Sequence, residues 1–481
     1  MGSEEKKNYI YNVIYRLSIC ILPLVVTPYV ARVLGAEQVG IYSFSSTVAC
    51  YFIMFGKLGL DIYGNRSIAA CRENMEKRSR VFWGIYTIQM VTSILSILIF
   101  ILLILTVFRE DRRVYWMQLI YAASVLFDVS WFFYGMEKFR ITTIRSLISR
   151  ALIIVLVFGF VHSDRDLWVY ACVMSVCFML EQVQLLPLML RQVKWVPLKK
   201  DDILRHILPN IRLFIPLFAL SIYSWLDKIM LGVIVKSTAV VAFYVYAENI
   251  INLPKGILSA LDTVMLPRIS NLVANLHLEE GIRKMRASVR FNSFICCALC
   301  FGIAGIAPSF VPWFFGPEYT PSILLTMELA MVMIPMSIAN VVQTQYLIPF
   351  HREHIYIWAV SLGALTNIIL NLTLIPLYGA SGTVIATFGA QLVICIFQML
   401  HIRQVYNFRM LFKMLLPFMI CGILEFAVVY SLCSLPVNTF VLLVIQIFAG
   451  GMVYLAGCGI YVIWISKEYR NIGDIIKSLK F

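Results

Sequence analysis

Charge is scarce in this chain: 26 acidic and 40 basic side chains among 481 residues make 14% charged against 60% hydrophobic. Soluble domains carry about a quarter charged residues, so an ordinary soluble globular domain is excluded. Familiar catalytic signatures are missing as well. There is no G-x-x-x-x-G-K-S/T phosphate loop, no G-x-G-x-x-G turn and no H-E-x-x-H helix, so nothing points to nucleotide hydrolysis, dinucleotide binding or zinc-protease chemistry. His351 and His354 stand three apart, but in a short basic loop that reads as solvated rather than metal-binding. Neither an enzyme nor a cofactor or metal is expected.

Cysteine is present, twelve in all, yet every one but Cys71 falls inside an apolar stretch. They read as small buried hydrophobes, not as a disulfide framework. The net charge of +14 would suggest nucleic acid in a soluble protein. Here the basic residues gather in short loops between apolar spans, where they set topology instead.

What the chain has in abundance is apolar length. Windows near twenty residues, the length that crosses a bilayer, fall at 9–34, 38–59, 81–108, 113–135, 139–161, 166–190, 207–235, 238–266, 290–315, 320–349, 354–376, 379–402, 411–434 and 438–465. The expected fold class is an all-α integral membrane protein of about fourteen transmembrane helices. The stretch after Lys6 and Lys7 holds Pro23, Pro28 and Arg32, so it is expected to be a retained first span rather than a cleaved leader. With the N-terminus cytoplasmic, the outer connections hold few basic residues (Arg109, Arg112, Arg113, Arg165 and Lys236) and the inner ones hold many. Both termini are therefore expected inside.

The longest polar interruption after the first six spans is 191–206. It suggests a six-helix lobe over 1–190, a cytoplasmic linker over 191–206, a second six-helix lobe over 207–402, and two extra helices with a cytoplasmic tail over 403–481. A faint repeat supports two lobes in pseudo-twofold arrangement: Arg16 aligns with Arg212, Arg32 with Lys228 and Gly35 with Gly232. Two six-helix lobes would start on the same side of the membrane.

Against this apolar background stand embedded charges: Arg16, Arg32, Asp128, Arg145, Arg150, Arg212, Asp227, Lys228, Glu248 and Lys255. Each costs roughly 2.5–3.5 kcal/mol at mid-membrane on insertion scales, so such groups face a protein interior or a watery path. The basic set Arg16, Arg32, Arg145, Arg150, Arg212 and Lys228 is the candidate site for an anionic substrate. Asp128, Asp227 and Glu248 either balance that charge or couple an ion, H+ or Na+. Glu248 and Lys255, seven apart, share a helix face. Pro23 and Pro28 mark the first span as a hinge, and 57–66 (KLGLDIYGNR) reads as a cytoplasmic turn.

The segments 12–44 (NVIYR…PYVARVLGAEQVGIYSF), 59–69 (GLDIYGNRSIA), 225–232 (WLDKIMLG) and 246–270 (YAENIINLP…VMLPRIS) resemble the polysaccharide biosynthesis flippases, or repeat-unit translocases often called Wzx, of the multidrug/oligosaccharidyl-lipid/polysaccharide exporter superfamily. The resemblance implies translocation of undecaprenyl-pyrophosphate-linked oligosaccharide from the inner to the outer leaflet of a bacterial plasma membrane by alternating access of two lobes, for surface polysaccharide synthesis. It implies membrane lipids and polysaccharide polymerase or assembly proteins as partners, and no nucleic acid. Two alternatives share the fold: a MATE-like drug/cation antiporter and a lipid II flippase. The acidic first-span cation site of many multidrug exporters is missing, which weighs against the former.

Overall fold

The computed structural model describes residues 3–461, with side chains described from Leu22 onward except at positions 219, 220, 223 and 224. The described residues are helical with short connections and form no strand. Eleven helices are long and apolar enough to cross a membrane. The windows 9–34 and 38–59 lie on the two arms of one bent helix, α1 (Ser3–Lys57). The bend is at Gly35, whose φ of 74° and ψ of 171° lie in a region that essentially only glycine enters. Pro23 and Pro28 lie inside the helix, where each removes one hydrogen bond, and Gly35 is the residue within α1 whose dihedrals leave the helical region.

After α1 come α2 (Leu60–Ala69), α3 (Met75–Thr106), α4 (Arg112–Ala123), α5 (Ser130–Gly135), α6 (Phe139–Phe160) and α7 (Leu167–Val183). Next are α8 (Ile207–Ser221) and α9 (Asp227–Val235), joined by a π-helical turn at Ile222–Leu226. The rest are α10 (Thr238–Ala274), α11 (Leu278–Phe315), α12 (Ser322–Val342), α13 (Glu353–His401), α14 (Phe408–Ser431) and α15 (Thr439–Ile460). α13 holds two expected windows and bends at Gly379, with φ 57° and ψ −128°. A Cβ at Gly379 would meet nothing within 4 Å, so Gly379→Ala isolates the backbone cost. We expect it to destabilise by about 1–3 kcal/mol in an unfolding titration, although no contact is lost.

The helices carry the inverse of a soluble pattern. On α3 the outward residues Val91, Ile94, Leu95, Leu98 and Leu102 are apolar, while Gln89, Ser93 and Ser96 are buried. The inward polar groups are used. Ser96 Oγ donates to the Phe52 carbonyl at 2.7 Å, and Gln89 Nε2 donates to the Val125 and Asp128 carbonyls at 2.7 and 2.9 Å. Apolar surface outward and satisfied polar groups inward is the arrangement that a lipid solvent selects.

The chain forms two compact units, Met1–Gly232 with Ser237–Ala242, and Val233–Lys236 with Phe243–Phe481. The first unit includes α8 and the start of α9, which the sequence grouped with the residues after 206. Packing explains the assignment: Gly59 abuts the Asn210 carbonyl and Leu213, and Gly232 abuts the Phe44 ring. Gly35 and Gly232, paired in the repeat, thus have different roles, one a bend and one a close contact. The polar stretch after α7 is fastened to α3. Arg78 Nη2 donates to the Gln192 carbonyl at 2.6 Å, Trp83 Nε1 donates to the Lys194 carbonyl at 3.0 Å, and the Lys194 amide donates to Ser79 Oγ at 2.9 Å.

In the second unit the core gathers Met265 and Ile269 of α10 with Met285, Val342, Leu347 and Met399. α14 and α15 pack on α11 within this unit. Tyr454 Oη donates to the Phe294 carbonyl at 2.7 Å, and Gly422 accommodates the Phe301 ring.

Candidate functional site: a buried charge network in the first unit

The segment 57–66 is a turn only at its start. Leu58 takes φ 52°, and helix α2 begins at Leu60. This tight reversal leaves Lys57 at the end of α1, where its ammonium lies 2.6 Å from Asp128 Oδ2 and 2.8 Å from Asp61 Oδ1. Asp128 sits between a 3₁₀ turn and α5, in an extended conformation (ψ 100°) that frees its side chain to face the next residues. Its Oδ1 accepts from the Ser130 amide at 2.9 Å and from the Ser130 hydroxyl at 2.5 Å.

Arg145, two turns into α6, continues the chain of contacts. Its Nη2 donates to Ser130 Oγ at 2.6 Å, and its Nη1 donates to the Glu181 carbonyl at 2.6 Å and to Gln182 Oε1 at 2.9 Å. Two cations, Lys57 and Arg145, and two anions, Asp61 and Asp128, are thereby linked across the end of α1, the start of α5, the start of α6 and the end of α7. These four helix ends lie on one side in the expected topology, the cytoplasmic one. Asp128 and Arg145 are 7% exposed each, so the network is desolvated and its pairing matters more than that of a surface ion pair. A second braid holds the same corner: Trp131 Nε1 donates to Gln89 Oε1 at 3.0 Å.

The structure brings Asp128 and Arg145 together through Ser130, as complementary charges. It commits Arg145 to protein partners. Arg150 lies farther along α6, half-buried, with Nε donating to Ser146 Oγ at 3.3 Å. Arg32 on α1 and Arg212 on α8 are exposed. Asp227 is 1% exposed near Tyr51, and half-buried Lys228 lies near Cys50, both against the second arm of α1. Glu248 is half-buried on α10 of the second unit. The side chain of Arg16 lies outside the described residues. Lys57, Ser130 and Gln182 were not singled out from the sequence. Lys57 ends a span and looked like a flanking lysine, and neutral Ser130 and Gln182 carry no signal. The one clue is the acid four residues after Lys57, at Asp61.

Near the same corner, outside the spans, His206 ends the connection to α8. Its Nδ1 is 2.6 Å from Tyr63 Oη, and Arg205 Nε donates to its Nε2 at 3.3 Å. Arginine has no lone pair to offer, so Nε2 is the acceptor and Nδ1 carries the proton to Tyr63. Burial, and secondly the Arg205 charge, lower the imidazole from 6.5 to about 4. The folded value lies below the unfolded one, so the unfolded chain takes up the proton first and stability falls as pH drops from about 6.5 toward 4. A thermal-melting series is expected to show this decline in the wild type and a flatter profile in His206→Asn.

Among the described residues no group of three or more His, Cys, Asp or Glu side chains is placed to hold a metal ion.

Two curated bacterial proteins, each named "Putative O-antigen transporter", resemble the chain. The one from Escherichia coli (strain K12) is 24% identical over 403 residues, 83% of this chain and 97% of its own length. The one from Shigella dysenteriae is 21% identical over 406 residues, 83% of this chain and 100% of its own. Among solved structures, the lipid II flippase MurJ in an inward closed conformation matches with TM-score 0.71 and 16% identity, over 94% of this chain and 98% of that one. An inward-facing multidrug resistance MATE family transporter of the MOP superfamily matches with TM-score 0.57 and 13% identity, over 87% and 95%. These two likenesses establish a MurJ- and MATE-like transporter fold. The family model described as "Polysaccharide biosynthesis protein" matches residues 6–273, more than half of the 481 residues, and the chain belongs to that family.

Proposed function

We propose that this multi-pass membrane protein is a flippase that carries polyprenyl-pyrophosphate-linked oligosaccharide repeat units from the inner to the outer leaflet of a bacterial plasma membrane, by alternating access. The observation that carries the reading is the family membership, together with near full-length similarity to proteins named as O-antigen transporters. The embedded basic residues fit the chemistry. A pyrophosphate diester bears about two negative charges, and guanidinium offers forked donors suited to phosphate oxygens. Moving two such charges outward down an inside-negative potential gains about 4.6 kcal/mol per 100 mV.

The contacts of Arg145 support a division among the basic candidates. Arg145 acts as a positioning residue, holding α5, α6 and α7 in register through Ser130 and Gln182. Substrate contact falls to Arg32, Arg150, Arg212 and Lys228 of the first unit, with Arg16 as a companion. Asp227 and Glu248 balance these charges or couple an ion. A polysaccharide polymerase and its assembly proteins would receive the flipped unit.

The test is complementation. In strains lacking their own repeat-unit flippase, each making a different glycan, this chain is expected to restore surface polysaccharide in at least one. Failure in all of them, with the protein present in the membrane and dye efflux dependent on Na+ or H+, would favour an antiporter instead.

A further inference from the structure

A carboxylate that the charge network does not use lies in the second unit. Asp262 of α10 is 7% exposed, one turn before the core residue Met265. Its Oδ1 accepts from Gln345 Nε2 at 3.0 Å. Gln345 is fully buried, and its own Oε1 has no hydrogen-bond partner. It stands in the π-helical turn Gln343–Leu347 that follows α12, and such turns are frequent at functional sites. Thr344, whose hydroxyl also reaches the Asn340 carbonyl at 2.7 Å, comes within hydrogen-bonding reach of the carboxyl.

No lysine, arginine or histidine pairs with Asp262 among the described residues. Lys255 and Glu248 share its helix face at seven and fourteen residues' remove. On the neighbouring helices Lys284 pairs with Glu280, Arg286 donates to the Val405 carbonyl, and Arg352 lies over the Tyr346 ring. Glu328 is the acidic group of α12, nearly five turns before Gln345. An ionised carboxylate without a counter-charge is strongly disfavoured in such surroundings. A bound metal cation would ask for about six oxygen ligands, more than Asp262, Gln345 and Thr344 supply.

We propose that Asp262 is a proton-binding site: its Oδ2 takes up H+ while Oδ1 accepts from Gln345, and the carboxylate is regenerated when water reaches this turn. The inference goes beyond the flippase reading and does not depend on which lipid is carried.

Infrared difference spectroscopy of the purified full-length protein against Asp262→Asn, near neutral pH, reads the proton directly. The carbonyl-stretch band of one protonated carboxylic acid is expected to be lost in Asp262→Asn. It should be kept in Asp61→Asn and be unchanged when Na+ is replaced by a large organic cation. Loss of an ionised-carboxylate signal instead, or a band that follows Na+, overturns the proposal. Should Asp262→Asn fail to fold, Gln345→Leu keeps the acid and removes its donor. That variant is expected to shift the band, and an unshifted band overturns the proposal equally.

Discussion

Replacing Lys57 by methionine is expected to destabilise the protein by about 3–5 kcal/mol, because it strands Asp128 as a buried, uncompensated charge. The asymmetry of the network sharpens the expectation. Lys57 has two anionic partners, Asp61 and Asp128, whereas the remaining cation, Arg145, reaches Asp128 only through Ser130. Asp128→Asn should therefore cost less than Lys57→Met: Lys57 keeps Asp61, and an asparagine oxygen still accepts from Ser130. The double variant Lys57→Met/Asp128→Asn should recover most of the Lys57→Met loss. A double-mutant cycle by unfolding in detergent measures this. Simple addition of the two single losses would mean that the pair is not coupled. Asp61, 55% exposed in its side chain, should matter little, as exposed ion pairs do.

The second large effect is on transport. Converting Arg32, Arg150 and Lys228 together to glutamine is expected to cut export at least a hundredfold while membrane levels stay normal. Each hydrogen bond to a charged group contributes about 1.5–3 kcal/mol, or about tenfold or more apiece, and three are removed. Arg150→Lys should lose less than Arg150→Gln, because charge is kept and only the fork is lost. Export is read from surface polysaccharide, and membrane level from immunoblots of the same cells. Export equal to wild type in the triple variant would remove these residues from the substrate path.

Much of the architecture is legible in the sequence because hydrophobic length is a strong signal. The windows 81–108, 139–161 and 411–434 fall on α3, α6 and α14. What resists reading is anything set by packing rather than composition. The polar run 191–206 looks like a divide, yet α8 beyond it lies against Gly59 and joins the first unit. Pro23 and Pro28 look like the hinge, yet the bend falls at Gly35, where backbone dihedrals decide. The embedded charges suggest that Asp128 with Arg145 and Arg150 could neutralise itself, whereas the structure pairs Asp128 directly with Lys57 and links it to Arg145 only through Ser130. Their bridging partners, Ser130 and Gln182, are ordinary polar residues until the fold sets them between two charges. Lys57 hides as a flanking lysine because its partner is 71 positions away in a chain whose numbering gives no hint of the contact. Gln345 escapes notice for the same reason, being 83 residues from Asp262.

The most direct measurement is flipping in proteoliposomes that contain only this protein and a polyprenyl-pyrophosphate-linked oligosaccharide, with the glycan read from outside by a membrane-impermeant lectin or glycosidase. The account expects the wild type to equilibrate the glycan between leaflets and the Arg32, Arg150 and Lys228 triple variant to leave it where it was placed. A wild type that moves no more glycan than protein-free vesicles, under an imposed membrane potential and in either pH gradient, would contradict it.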